Sequence, residues 1–108
     1  MTVQELLDKT DLTAAALPRG DREITGVYLG DLLSWVMGRA REGDAWVTIM
    51  SNRNIAAVAT LADTACILLA EGVQPDNGVA LLCEEKGINL LLSPHSAYDT
   101  ALLLRDTL

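Results

Sequence analysis

Residues 46–54 read WVTIMSNRN, an apolar run that is followed at once by four polar residues. The run has apolar side chains on both faces of a strand, which is typical of the centre of a sheet covered on both sides. The polar residues are common in turns and at helix starts, and a helical apolar pattern follows them. This stretch therefore predicts a buried strand, a turn and a helix.

The same succession of strand, polar turn and helix recurs along the chain. The other three apolar runs and their turns are residues 24–29 with Gly30-Asp31, residues 65–70 with Glu71-Gly72, and residues 88–92 with Ser93-Pro94-His95-Ser96. Strand–helix–strand units almost always form parallel sheets with right-handed crossovers. All four turns should therefore emerge at one edge of the sheet, where open α/β folds bind ligands.

We therefore predict an α/β fold with one domain over residues 1–108. It has three layers, with a mostly parallel central sheet of four to five strands and helices on both faces. Residues 12–17 are the candidate for a further, first strand. The helix from residue 54 to residue 63 is apolar nearly all round, so we expect it to be central or packed against a second subunit.

Several side chains mark predicted helix starts. Thr2 and Glu5 form a capping box, Asp31 is a candidate cap, and Pro75 with Asp76 is expected to open a helix that ends near Gly87. Ser93 followed by Pro94 is expected to start the last helix. The helix after Asp31 carries an apolar stripe at helical spacing: Leu32, Leu33, Val36, Met37 and Ala40.

Composition restricts the class of partner. The formal net charge is −7, which disfavours nucleic acid because affinity for the phosphate backbone comes from clustered Lys and Arg. The longest apolar stretch, residues 55–70, is too short to span a membrane and contains Asp63. Cys66 and Cys83 lie in apolar patterns without C-x-x-C spacing, so we expect reduced thiols and a cytoplasmic protein.

The first candidate site is the turn Ser51, Asn52, Arg53 and Asn54. Free backbone amides at a helix start, with Arg53 beside them, favour a small anion. The alternative is that Ser51 or Asn52 is only a helix cap.

The second candidate site is the loop that contains Arg19, Asp21 and Arg22. These residues reach the other turns only if the first strand brings the loop to the same edge, and the alternative is a solvated turn.

Ser93 and His95 at the start of the last helix are further candidates, with His95 as a neutral donor or acceptor. The sequence contains no Gly-rich phosphate motif, no metal-ligand spacing and no recognisable pair of nucleophile and base. We therefore predict no cofactor, no metal ion and no enzymatic activity.

Residues 21–34, which read DREITGVYLGDLLS, resemble the DRTGG domain family. Residues 45–50 and 55–71 extend the resemblance over nearly the whole chain. It implies an α/β fold similar to the N-terminal domain of HPr kinase. Such domains accompany phosphotransacetylases and certain pyrophosphatases as non-catalytic regulatory modules, and several resemble dimerisation or nucleotide-sensing units. Because the domain stands alone in this sequence, we expect the regulated protein to be a separate chain.

Two functions follow as hypotheses. The first is a regulatory module that binds a small anionic metabolite or a nucleotide at the strand-to-helix turns. The alternative is a ligand-free domain for homodimerisation and protein interaction. The two are compatible, because a dimer interface beside the turns would complete a site from both subunits.

Overall fold

Five strands form one sheet in the computed structural model, which describes residues 1–108. They are β1 (Thr13–Ala16), β2 (Gly26–Leu29), β3 (Asp44–Thr48), β4 (Cys66–Leu69) and β5 (Leu90–Leu92). The order across the sheet is β1-β5-β4-β3-β2, and only the β1–β5 pair is antiparallel. The predicted mostly parallel sheet is confirmed, and the first strand exists.

Five helices cover the two faces of the sheet. They are α1 (Val3–Lys9), α2 (Leu33–Arg39), α3 (Asn54–Ala62), α4 (Val79–Lys86) and α5 (Ala97–Thr107). Alternate strand residues separate the core into two parts, because Trp46 packs with α2, α3 and α4 whereas Val47 packs with α1 and α5. Helices therefore lie on both faces, which confirms the three-layer prediction.

The central position of β3 and β4 in the sheet explains why their apolar runs are continuous. Every residue of β3 and β4 is buried, as expected for strands covered by helices on both faces. The helix α3 packs between α2 and α4, which accounts for its nearly uniform apolar composition. Its one strongly exposed large apolar side chain is Leu61, at 72%.

The capping box at Thr2 and Glu5 is confirmed, but three other predicted helix starts are wrong. Asp31 does not cap α2; its Oδ1 accepts hydrogen bonds from Thr48 Oγ1 and the Ile49 N–H. The helix α5 starts at Ala97 with Ser96 as its cap. The predicted cap Ser93 instead bonds to the Thr100 hydroxyl in the interior.

The predicted start of α4 is wrong, because it lies too early in the sequence. The helix does not begin at Pro75-Asp76 but at Val79, after Gly78 in a left-handed conformation with φ of 86°. Asp76 instead joins this segment to the turn after β3, since its N–H donates to Ser51 O. The predicted end at Gly87 is confirmed.

The predicted apolar stripe of α2 is only partly a core stripe. Val36 is the one buried residue of the helix, whereas Leu32 and Met37 are exposed. The reason is position, because α2 lies over β2 at the margin of the sheet and has a neighbouring helix, α3, on one side only.

No helix has both the length and the apolar character needed to cross a membrane.

Asn89 fixes the loop between β1 and β2 to the sheet. Its Oδ1 accepts from the Arg19 N–H at 2.9 Å, and its Nδ2 donates to Arg19 O at 2.7 Å and to Ala65 O at 2.9 Å. The residue is only 2% exposed. A buried amide with three partners stabilises its surroundings mainly because losing it leaves those partners unpaired.

We expect Asn89→Ala to lower the free energy of unfolding by about 2–4 kcal/mol, from the lost bonds and the groups left unpaired. Urea denaturation measures this change. The matched control is Asn52→Ala, which removes one exposed bond to the Asn54 N–H and should cost less than about 1 kcal/mol. Equal losses in the two variants would contradict the structural role of Asn89.

Candidate functional site

The four strand-to-helix turns lie along one edge of the sheet, here called the carboxyl edge. It is the edge at which β2, β3, β4 and β5 end. Adjacent turns are hydrogen-bonded to one another: Asp31 to Thr48 as described above, Ser51 Oγ to Asp76 Oδ1 at 2.8 Å, and the Gly72 N–H to Ser93 O at 3.0 Å. The predicted convergence of the turns is therefore confirmed.

The turns nevertheless form a row and not one deep crevice. The helices α2, α3 and α4 follow successive strands and all pack on the same face of the sheet. A crevice at a topological switch point requires that neighbouring turns lead to helices on opposite faces. No such reversal occurs from β2 to β4, and the turns after β4 and β5, which lead to α4 on one face and α5 on the other, are joined by the hydrogen bond from the Gly72 N–H to Ser93 O. Each turn must therefore be judged as a separate local site.

The start of α5 is already occupied by groups of the chain itself. Glu71 Oε2 accepts from the Ala97 N–H at 2.8 Å, so a carboxylate sits at the helix N-terminus. Ser93 is 1% exposed, and its hydroxyl lies 2.8 Å from Thr100 Oγ1. A ligand at Ser93 would have to displace these contacts.

His95 has a partner that sequence reasoning missed. Its Nε2 lies 2.8 Å and 2.9 Å from the two carboxylate oxygens of Asp11. Asp11 precedes β1, so it reaches the carboxyl edge only because β1 runs antiparallel to β5. No hydroxyl or thiol is bonded to the imidazole, since the Ser93 hydroxyl accepts from the backbone N–H of His95 at 3.1 Å and not from its ring, and both cysteines are buried. The contact between His95 and Asp11 links the segment before β1 to the turn after β5.

The start of α3 is the turn with an unpaired cation. Ser51 and Asn52 use their side chains internally, on Asp76 and on the Asn54 N–H, although neither of them occupies the N-cap position. Arg53 is exposed at the N-cap position of α3, and its guanidinium has neither a hydrogen bond nor an ion pair within the chain. Of the four predicted residues, Arg53 is therefore the one whose side chain is available to an anion.

Arg53 also stands at one end of a groove between α3 and α4, here called the α3–α4 groove. Its volume is about 520 Å³, and its lining residues are Arg53, Asn54, Ala56, Ala57, Thr60, Leu61, Leu82 and Lys86. The two charged groups in this lining are both cations, on a chain of net charge −7. The sequence did not indicate Lys86, because the pairing of α3 with α4 depends on the order of the strands.

Arg19, Asp21 and Arg22 lie at the opposite edge of the sheet. Because β1 is antiparallel to β5, its end carries this loop to the edge where β4 and β5 begin. There Arg22 donates to Asp63 Oδ1 at 3.0 Å and to Asp63 O at 2.7 Å. These three residues therefore do not join the turns at the carboxyl edge.

The two thiols are in surroundings that disfavour ionisation. Burial raises the pKa of Cys66 to about 12 and also raises the pKa of Cys83. The reactive form of a thiol is the thiolate, so neither group is activated at neutral pH. No group of three or more His, Cys, Asp and Glu side chains is placed to hold a metal ion.

The sequence model of the DRTGG domain matches residues 20–107. The chain belongs to the DRTGG domain family. A solved structure with a similar fold contains the CBS and DRTGG domains of the regulatory region of Clostridium perfringens pyrophosphatase, complexed with its activator, diadenosine tetraphosphate. No curated protein matches the chain in sequence.

The likeness to that solved structure concerns the fold of the DRTGG domain. The TM-score is 0.71 at 14% sequence identity. The match covers 99% of this chain and 47% of the other, so this chain spans about half the length of its structural neighbour. The family assignment confirms the resemblance that residues 21–34 predicted.

Burial of the Cys66 thiol makes the free energy of unfolding of this DRTGG domain depend on pH. Below its ordinary pKa of 9.0 both the folded and the unfolded chain hold the proton. Above that pH the unfolded chain loses the proton while the folded chain keeps it up to about pH 12. The contribution of Cys66 to the free energy of unfolding should therefore fall by about 1.4 kcal/mol per pH unit above pH 9.

Urea denaturation between pH 8 and pH 11 measures this fall as the difference between wild type and Cys66→Ala. The variant is less stable at pH 8 because it leaves a cavity, but its stability should decline less steeply as the pH rises. Parallel curves for the two proteins would contradict the buried, protonated state of Cys66.

Proposed function

We propose that this DRTGG domain is a non-catalytic regulatory module that binds a small anionic metabolite or a nucleotide at the start of α3. The single observation that carries the proposal is the unpaired Arg53 guanidinium at the carboxyl edge, beside a groove lined by no acidic residue. Family membership and the fold of the pyrophosphatase regulatory region support a regulatory role.

The energetics require more than the helix end. One helix N-terminus contributes only about 0.3–1 kcal/mol toward binding an anion. A charge-assisted hydrogen bond from an arginine adds about 1.5–3 kcal/mol. Arg53 must therefore be the main anion contact, and the apolar part of the α3–α4 groove accepts the uncharged remainder of the ligand.

Three observations support the remaining parts of the proposal. The imidazole of His95 has no nucleophile bonded to it and the thiols are protonated at neutral pH, which argues against catalysis. Two free cysteines are compatible with the reducing cytoplasm. The activator of the neighbouring regulatory region is a nucleotide, so nucleotides come first among ligands to test.

We expect Arg53→Ala to weaken binding of an anionic ligand about tenfold to a hundredfold, because it removes the charge-assisted contact. Isothermal titration calorimetry with AMP, ADP, ATP and pyrophosphate measures the affinity. The matched control is Arg105→Ala, which removes an exposed arginine that pairs with Asp106 on α5 and should leave binding unchanged. If no anion binds wild type, or if both variants bind like wild type, the proposal fails.

The second candidate function is homodimerisation, with or without a ligand. The specific observation in its favour is Leu61, which projects from α3 with 72% of its surface exposed beside the apolar α3–α4 groove. Exposed apolar surface of this kind often marks a protein interface. The proposal retains α3 as the interface element, although most of its apolar residues are in the core.

We expect a dimer in light scattering at micromolar concentration and a monomer for Leu61→Asp, because the buried charge would cost several kcal/mol at the interface. Leu108→Asp is the control, since Leu108 is an exposed leucine directly after α5, which lies on the other face of the sheet. A wild-type monomer at this concentration would exclude the homodimer.

A further inference from the structure

A second concave surface lies at the end of β2, apart from the residues of the α3–α4 groove. This β2 cleft has a volume of about 400 Å³. Its principal lining residues are Tyr28, Leu29, Asp31, Leu32, Trp35 and Arg39. It brings together two of the four aromatic side chains of the protein, one carboxylate and one guanidinium.

Trp35 and Arg39 form a stacked pair at the cleft. The guanidinium carbon lies 3.7 Å from the centroid of the indole ring, and Trp35 is 51% exposed. Arg39 makes no hydrogen bond or ion pair within the chain, although the protein has 15 acidic residues. A guanidinium that stacks on an aromatic ring keeps its in-plane N–H groups available for an anion.

The floor of the cleft is held in place by Gly30. Its carbonyl accepts from the buried Trp46 Nε1 at 2.9 Å. A Cβ at this position would lie 3.0 Å from Tyr28 Cε2, so the glycine lets the backbone lie directly against the tyrosine ring. The aromatic surface of Tyr28 is therefore fixed by the strand and the turn that follows it.

Asp31 supplies an oriented hydrogen-bond acceptor. Its Oδ1 accepts from Thr48 Oγ1 at 2.8 Å and from the Ile49 N–H at 3.0 Å. Thr48 is only 2% exposed, so this anchor is rigid. Oδ2 has no partner within the chain and is free to accept a hydrogen bond from an amino or hydroxyl group at the cleft.

We propose that the β2 cleft binds a nucleoside phosphate. The base stacks on the exposed Trp35 ring, Asp31 accepts a hydrogen bond from the amino group or a ribose hydroxyl, and Arg39 binds the phosphate. This second site goes beyond the proposed function, because its residues include none from the start of α3 and either site can exist without the other.

A second protein copy would also cover the exposed leucines and Trp35. The combination of a stacked guanidinium with free N–H groups and an anchored carboxylate favours a small aromatic anion, because an apolar protein contact needs neither group. The experiment therefore includes the protein-contact outcome.

Intrinsic fluorescence tests the proposal directly, because Trp35 is exposed and Trp46, the other tryptophan, is fully buried. We expect AMP to quench the emission of wild type saturably, whereas ribose 5-phosphate, which has no base, should not. Trp35→Phe retains an aromatic surface, so calorimetry should still detect AMP while the quenching disappears. Trp35→Leu should weaken AMP about tenfold or more, the usual loss when base stacking is removed.

A second set of variants and ligands tests the role of Arg39. Arg39→Gln should weaken AMP about tenfold and leave adenosine, which has no phosphate, unaffected. Thermal melting of each variant verifies that it is folded. Trp35→Phe keeps the inference falsifiable if Trp35→Leu fails to fold.

The other outcomes separate the two proposals. AMP binding that is lost in Arg53→Ala and unchanged in Trp35→Leu and Arg39→Gln overturns the β2 cleft and leaves the proposed function standing. If Trp35 emission changes with protein concentration and not with AMP, a second copy of the protein covers the cleft. That result would overturn the proposal of a nucleotide site there. Pyrophosphate binding without any AMP binding also overturns the cleft alone, whereas absence of binding by every anion and nucleotide defeats both proposals.

Discussion

The parallel register of β2, β3, β4 and β5 is the constraint on which the remainder of the structure depends. Parallel strands must end at the same edge, so the strand pairing alone brings four polar turns together there. The same register buries β3 and β4 on both faces, so these two strands contribute side chains to both parts of the core. The face of the sheet on which each following helix packs then determines where a ligand can enter. Because α2, α3 and α4 share one face, the turns after β2, β3 and β4 form a row of shallow sites, and only the turns after β4 and β5 lead to helices on opposite faces.

Carboxylates at this edge serve mainly to connect one turn to the next. Asp31, Asp76, Glu71 and Asp11 each accept a hydrogen bond or form an ion pair with a residue of another turn or helix start. An acidic chain thereby uses its excess of carboxylates as structural acceptors. The cations are distributed differently, because Arg39 and Arg53 have no carboxylate partner while they border concave surfaces. The two candidate binding surfaces are defined by this contrast.

The sequence predicted those features that depend on neighbouring residues. The apolar runs of β3 and β4, the capping box at Thr2 and the helix end at Gly87 all follow from local patterns, and the structure confirms them. Asp31 and Ser93 were misassigned as caps because their partners, Thr48 and Thr100, lie in other elements. A side chain that suits a cap equally suits a tertiary hydrogen bond, and local sequence cannot distinguish them.

Strand order accounts for the rest of what the sequence did not reveal. The antiparallel pairing of β1 with β5 takes Arg22 away from the carboxyl edge and brings Asp11 to His95. The strands β1 and β5 are more than 70 residues apart in the sequence, so no local periodicity could reveal that they pair. Trp35 was missed for a related reason. The helical spacing of α2 was that of a core helix, but α2 lies over the last strand of the sheet and has a neighbouring helix on only one side.

The net charge of −7 determines what kind of affinity either surface can have. At physiological ionic strength charges are screened over about 8 Å, so the acidic remainder of the surface repels an approaching anion only weakly. For the same reason, an exposed arginine attracts that anion only at short range. Affinity must then come from directed hydrogen bonds and from apolar or stacking contact beside the cation. Arg53 has aliphatic neighbours in its groove, whereas Arg39 has an indole ring beneath it. The aliphatic surroundings of Arg53 suit an anion of any shape. The indole ring beside Arg39 favours an anion that carries a planar aromatic group.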